Sequence, residues 1–218
     1  DILRALHLVL SSSSALLLTI TALHRNISLL LLLLLDALVV ASQVECCTVP
    51  PTKHVNFSDS CKTLGPIISH GISWAGMQGE FESTQLLVRS HEQMDVALTF
   101  SDLHAQGCPA PPCGVIRHHS LSWFQVGFVN CKHTTRYADS GGGWRPDPLL
   151  LPGAAGMITL PGNFTQSLWI TLHIPATAQP SSLGEAYSGS VNVTFFRGGF
   201  NAEDVVLTVP VALEVWNL

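Results

Sequence analysis

Charged side chains are scarce in this sequence. Only 11% of its 218 residues are Asp, Glu, Lys or Arg, where a soluble domain usually carries about a quarter. Ten basic residues face fifteen acidic ones, giving a net charge of −5. A nucleic-acid binder needs a basic stripe to neutralise phosphates, so that class is excluded. Nucleophile and nucleotide signatures are missing too. There is no Gly-x-Ser-x-Gly, and Ser69-His70 and Ser90-His91 lack a third partner. Gly141-Gly142-Gly143 is not followed by Lys-Ser/Thr, so it is not a phosphate loop. Helical periodicity is hard to find, and no repeat of fixed period occurs.

Metal-ligand spacing is absent as well, despite ten histidines. His118 and His119 are adjacent, and on a strand they point to opposite faces. His104, Cys108 and Cys113 are loosely spaced, unlike the paired CxxC units of zinc sites. Neither a metal nor an organic cofactor is expected.

What the chain has is apolar material: 47% of residues are hydrophobic, enough for a core and against disorder. The mean hydropathy of +0.35 owes much to residues 1–42. There His24-Arg25 precede a run from Ile27 to Val40 containing seven leucines, Leu29–Leu35, and small residues follow near Ala41-Ser42. A cationic flank, a short apolar run and small residues make a signal peptide. The run is shorter than the ~20 residues that span a bilayer, and Asp36 inside it is costly there. A cleaved signal is therefore preferred to an uncleaved anchor, and membrane attachment is expected only for the anchor. The remaining residues, 43–218, keep the net charge at −5.

An oxidising, glycosylating compartment fits two further features. Asn56-Phe-Ser, Asn163-Phe-Thr and Asn192-Val-Thr are glycan acceptor sequences. The six cysteines, Cys46, Cys47, Cys61, Cys108, Cys113 and Cys131, form an even set suited to disulfides. A bridge from Cys46 or Cys47 to Cys61 is expected, and one from Cys108 to Cys113 would close a stiff Pro-rich loop. The protein is read as secreted or extracellular. A membrane-anchored ectodomain with a purely structural role is the alternative.

Residues 43–66 read as a lead-in segment with Pro50-Pro51. From residue 67 to 218 short apolar runs are split by Gly and Pro. Leu168, Ile170, Leu172 and Ile174 alternate with Trp169, Thr171 and His173, a period of two. Val191, Val193 and Phe195 alternate likewise, as do Val205 to Val215 in the last run, where Pro210 marks an edge or bulge. Residues 130–156 read as a long loop. Eight or nine strands of this kind predict an all-β fold, an antiparallel β-sandwich.

Two constellations invite a functional reading. Glu80 and Glu82 share one face of a strand with Phe81 on the other. Carboxylates at i and i+2 lie roughly 6.5–7 Å apart and point in parallel, whereas a retaining glycosidase holds its pair about 5 Å apart across a substrate. A solvated or hydrogen-bonded strand face is the preferred reading. Among the five tryptophans, Trp144 stands out, because it sits in a loop beside Arg145 and Asp147. An aromatic there either plugs a neighbouring domain or stacks on a sugar ring. Trp169 and Trp216 fall on strands and read as packing residues.

Three patches, taken together, resemble a known family: Gly79-Glu-Phe-Glu-Ser-Thr-Gln85, Gly143-Trp-Arg-Pro-Asp-Pro-Leu-Leu150, and Leu168-Trp-Ile-Thr-Leu-His-Ile-Pro175 with Gly184-Glu-Ala-Tyr187 and Val211-Ala-Leu-Glu-Val-Trp216 after it. Their order and spacing are similar to the N-terminal β-sandwich that precedes the catalytic barrel of glycoside hydrolase family 123. The resemblance covers residues 67–218. It implies a barrel partner carrying an adjacent Asp and Glu that act on N-acetyl-β-galactosaminides, with the substrate's acetamido group as nucleophile. No catalytic residue is carried over onto this chain. The resemblance thus implies a non-catalytic accessory sandwich that packs on a barrel through the Trp144 loop. A free-standing carbohydrate-binding or adhesion module, with glycans as partners, is the rival.

Overall fold

The computed structural model describes residue 27 and residues 44–64, 71–106, 114–132, 143–153, 155–181, 186–196, 198 and 204–216. The chain divides into two compact units, residues 1–42 and 43–218. The expected signal or anchor segment lies outside the described residues apart from Ile27. Among the described residues no helix is long and apolar enough to cross a membrane.

Period-two alternation builds the second unit. Among the described residues twelve strands form, β1 (Val44–Val49), β2 (Ile72–Met77), β3 (Phe81–Ser90), β4 (Met94–Phe100), β5 (Leu103–Ala105), β6 (Val115–Ile116), β7 (Leu121–Cys131), β8 (Gly143–Leu150), β9 (Met157–Leu160), β10 (Thr165–His173), β11 (Tyr187–Phe196) and β12 (Val205–Trp216). They make two sheets. Sheet A runs β1-β3-β10-β7-β8, and sheet B runs β2-β12-β11-β4-β9 with β5 and β6 appended beside β11. Every second residue turns inward, as a pleated strand requires. Leu86, Leu168, Ile170 and Leu172 from sheet A and Val96, Val191, Val193, Phe195 and Leu213 from sheet B are wholly buried in one core cluster. The fold is an all-β sandwich.

The structure corrects three expectations. The lead-in segment supplies β1, whose six residues pair antiparallel with Gln85–Ser90 at the edge of sheet A. The stretch expected as a long loop contains β8, which pairs with β7 across a register shift between Val126 and Phe128. Its prolines hid it, yet proline is tolerated on an edge strand. The pairing is also not wholly antiparallel, since β2 runs parallel to β12. That pairing begins at Val211, so Pro210 sits just where β12 has no β2 residue opposite it, and its missing N–H costs no ladder bond there.

The short β5–β6 corner is held by close packing and by one acid. Tyr187 is buried, and its hydroxyl both accepts from Gln179 N–H at 2.9 Å and donates to Gln179 O at 3.0 Å. Gly189 leaves space for Ser101 Oγ, which accepts from Ser190 N–H at 2.8 Å. A Cβ on Gly189 would sit 2.7 Å from that oxygen, 2.8 Å from Asp102 O and 2.5 Å from Leu103 Cδ2. Asp102 accepts from the His118 N–H at 2.8 Å, from His118 Nδ1 at 2.9 Å and from Arg117 at 2.9 Å. The His118 backbone bond leads in holding its carboxyl well below the usual range, followed by the His118 imidazole and Arg117.

Two predictions follow from this corner. Gly189→Ala overpacks it and is expected to cost about 1–3 kcal/mol, read as a lower urea midpoint with unchanged slope. Asp102 has a depressed folded value, so its contribution is fully present above the ordinary carboxyl pKa of 3.8 and fades as pH falls below it. Asp102→Asn should therefore be less stable than the parent at neutral pH, and the two should converge in strong acid. An equal gap at both pH values would show that the clasp does not depend on ionisation.

Candidate functional site

The outer face of sheet A carries a second layer. Cys47, Val49 and Leu87 point away from the core and form a small cluster with Val55, Cys61 and Leu64. Residues 50–64 thus lie over β1 and β3 as a flap. Cys47 is bonded to Cys61, as expected. Alternation decides between the two adjacent cysteines: Cys47 faces the flap, while Cys46 packs against the core. Burial pushes the Cys46 thiol up to about 12. Cys46 and Cys131 are thiols, which corrects their expected place in a disulfide framework. Cys108 and Cys113 lie outside the described residues.

Polar bonds fasten the flap as well. The Gln85 amide nitrogen is aimed at the carbonyls of Pro50, Pro51 and Lys53, at 3.2, 3.0 and 2.8 Å. Its oxygen accepts from Ser167 Oγ at 2.7 Å. Thr165 N–H donates to Phe57 O at 2.9 Å, and the Thr165 hydroxyl donates to Asp59 O. Buried polar groups at this seam are satisfied, so the flap is seated rather than loose.

Between the flap and β8 the outer face stays open in two places. One is a groove of about 320 Å³ lined by Pro51–His54 on the flap side and Pro146, Asp147 and Leu149 on the β8 side, with Trp169, Val126 and Gln85. The other is a trough of about 390 Å³ lined, among the described residues, by Phe57, Phe128, Trp144 and Phe164. Phe57 and Phe164 stack with ring centroids 5.6 Å apart and 9° between planes. Phe128 meets both rings edge-on, at 5.9 and 5.7 Å. Trp144 is 52% exposed.

The structure therefore separates the expected trio. Trp144 walls the trough, Asp147 lines the groove, and Arg145 lies half-buried on β8 opposite Val129, outside both linings. Trp169, read as a packing residue, lines the groove instead. Its position was legible, because it alternates with Leu168 and Ile170 and so must face outward. Lys53, His54 and the three phenylalanines carried no such signal, since a flap folded back on a sheet leaves no period in sequence. Trp216 is half exposed on the outer face of sheet B rather than packed.

Glu80 and Glu82 do not make an acid–base pair across a cleft. Glu80 precedes β3, and its Oε2 accepts from Met77 N–H at 2.7 Å. Both carboxylates crowd one spot: a Cβ on Gly76 would lie 3.1 Å from Glu82 Oε1 and 3.3 Å from Glu80 Oε2. Burial, and then the Glu80 charge, raise the Glu82 pKa. Phe81 stands on the opposite side, stacked on His173 at 4.6 Å. Both carboxylates are half-buried, and Glu80 is the one tied to the backbone. Beside Glu82 a cleft of about 400 Å³ also takes in Ser73, Trp74 and Thr84. The Trp74 indole N–H is buried without an acceptor among the described residues.

The three acceptor asparagines of residues 43–218 differ in setting. Asn56 and Asn163 are exposed, and Asn163 adopts a left-handed backbone with φ 58°. Asn192 is half-buried in mid-β11, where its Oδ1 accepts from Thr208 Oγ1 at 2.9 Å.

Among solved structures, the chain is similar to a family 123 glycoside hydrolase from Clostridium perfringens, described for glycolipid glycan hydrolysis. The match has a TM-score of 0.63 and 16% identity, over 81% of this chain and 27% of that one. The chain thus spans about a quarter of that hydrolase, and what the likeness shows is the fold. It also matches PapD-like domain 7 of human CEP192 (TM-score 0.42, 11% identity, 69% of this chain and 83% of that one). The CooA pilin subunit of enterotoxigenic Escherichia coli matches at TM-score 0.40 and 13% identity, over 80% of this chain and 99% of that one. No protein-family model and no curated protein sequence matches.

The disulfide closes a loop with a sequence separation of 14, for which chain entropy gives about 3 kcal/mol. Reduction, or Cys47→Ser with Cys61→Ser, should lower unfolding free energy by roughly that amount. Hydrogen exchange should rise in residues 50–64 before it rises in β10. A uniform rise across both would show that the flap is not a separate unit.

Proposed function

We propose that residues 43–218 are the non-catalytic accessory β-sandwich of a secreted, glycoside-hydrolase-like protein, packing on a sugar-cleaving barrel beside its cleft. The observation that carries this reading is the β8 edge of sheet A, where β7 is the strand's one partner among the described residues. There β8 and the residue after it expose Leu149, Leu150 and Leu151, the last at 78%. An apolar run on an unpaired edge strand is a liability in isolation and is normally covered. The fold shared with part of a much longer hydrolase supports a neighbouring domain as the cover.

Sequencing the native transcript across the Leu218 codon tests this reading. The expected result is a frame continuing into a barrel with an adjacent Asp-Glu pair. Joined to that barrel, the chain should cleave an aryl N-acetyl-β-galactosaminide, and Leu149→Asp with Leu151→Asp should weaken the union. A stop codon directly after Leu218 would overturn the reading.

A second reading, a carbohydrate-binding module, is favoured by the groove itself. Trp169 offers an aromatic plane, with Asp147, Lys53 and His54 at hand as donors and acceptors. It expects retention on a glycan array that Asp147→Asn diminishes; no retention on any glycan counts against it.

A further inference from the structure

Two of the three glycan acceptor sequences in residues 43–218 meet at one place. Asn56-Phe57-Ser58 lies on the flap and Asn163-Phe164-Thr165 leads into β10. Their phenylalanines stack on each other, and both line the same trough with Phe128 and Trp144. The backbones are joined where Thr165 N–H donates to Phe57 O at 2.9 Å. Each asparagine is thus the residue next to a wall of a trough whose described lining is aromatic.

We propose that N-linked glycans on Asn56 and Asn163 fold back onto this trough, so that the protein's own sugars cover its exposed aromatic face. The reading rests on the secreted address expected from the sequence and goes beyond the accessory role. It divides β8 into two ends: Trp144 lies under sugar, and Leu149–Leu151 stay open for a domain contact.

The chemistry suits the place. Aromatic faces carry negative charge and the C–H faces of a sugar ring are weakly positive, so the two stack, and the acetyl methyl adds apolar contact. A trough of about 390 Å³ has room for the first sugar residues. In the transfer, Nδ2 of each asparagine bonds to C1 of an N-acetylglucosamine carried on a lipid pyrophosphate. The C1–O bond to the pyrophosphate breaks, the lipid pyrophosphate leaves with the bonding pair, and one amide proton passes to it. Nothing is oxidised or reduced. The settings tolerate the product. Asn163 Nδ2 donates one N–H to His91 O at 3.4 Å, and Oδ1 faces His91 Nδ1 at 3.1 Å. A glycosylated amide keeps one N–H and its oxygen, so both contacts survive.

The test uses the full chain secreted from a eukaryotic cell behind a cleavable leader, which removes any dependence on residues 1–42. Glycopeptide mass spectrometry should find Asn56 and Asn163 occupied. NMR should show nuclear Overhauser contacts between the first sugar's acetyl methyl and the rings of Phe57 or Trp144. Asn56→Gln with Asn163→Gln should raise the fluorescence of an anilinonaphthalene sulfonate probe several-fold, and Trp144→Ala in that background should abolish the rise. Asn192→Gln serves as the control and should leave the probe unchanged. Two unoccupied asparagines overturn the proposal. So do occupied ones without sugar–ring contacts and without a change in probe binding. Neither result touches the transcript test of the accessory role.

Discussion

The structure depends on the burial of two central strands. β10 is flanked by β3 and β7, and β11 by β12 and β4, so each has a paired neighbour on both edges. Their inward residues, Leu168, Ile170 and Leu172 on one sheet and Val191, Val193 and Phe195 on the other, are wholly buried in the same cluster. Each such side chain removed from water is worth about 1.5–3 kcal/mol, and a one-residue slip would expose the whole set. Register is therefore fixed at the centre. The edges are where the chain departs from regularity, with proline in β8 and a parallel partner for β12.

The same alternation that fills the core also loads the outer face of sheet A. Gln85, Leu87, Ser167 and Trp169 share that face with Cys47 and Val49, and no second sheet covers it. A flap of residues 50–64 covers part of it, held by one disulfide and by hydrogen bonds from Gln85 and Thr165. What remains uncovered is a groove with ionic groups at hand and a trough whose lining, among the described residues, is aromatic. Both lie between the flap and β8, so the geometry of any contact there is set by how firmly the flap is seated.

Much of the framework was legible in the sequence where the period was clean. Val191, Val193 and Phe195 mark a strand from their alternation alone, and all three turn inward on β11. The Cys61 bridge was legible to within one residue, and strand geometry resolves the choice, since neighbours on a strand face opposite ways. The site was far less legible. Trp144 and Asp147 stood out as a loop cluster, yet they sit on a strand and line different hollows. Phe57, Phe128 and Phe164 come from three distant segments, and no local pattern unites them. Only the repeated Asn-Phe-Ser/Thr sequence linked two of them, and the link was invisible until the flap closed.

The parallel pairing of β2 with β12 has a temporal consequence. Ile72 finds its partner only in Val211, so sheet B cannot be completed until almost all of the second unit has been synthesised. Sheet A, whose five strands all lie before residue 174, has no such wait. Its inner face must stand without sheet B's last strand until that strand arrives. Contacts this distant in sequence make folding slow, and the nascent sandwich is open along one side for most of its own synthesis. A chaperone-rich compartment would meet the protein in that half-built form.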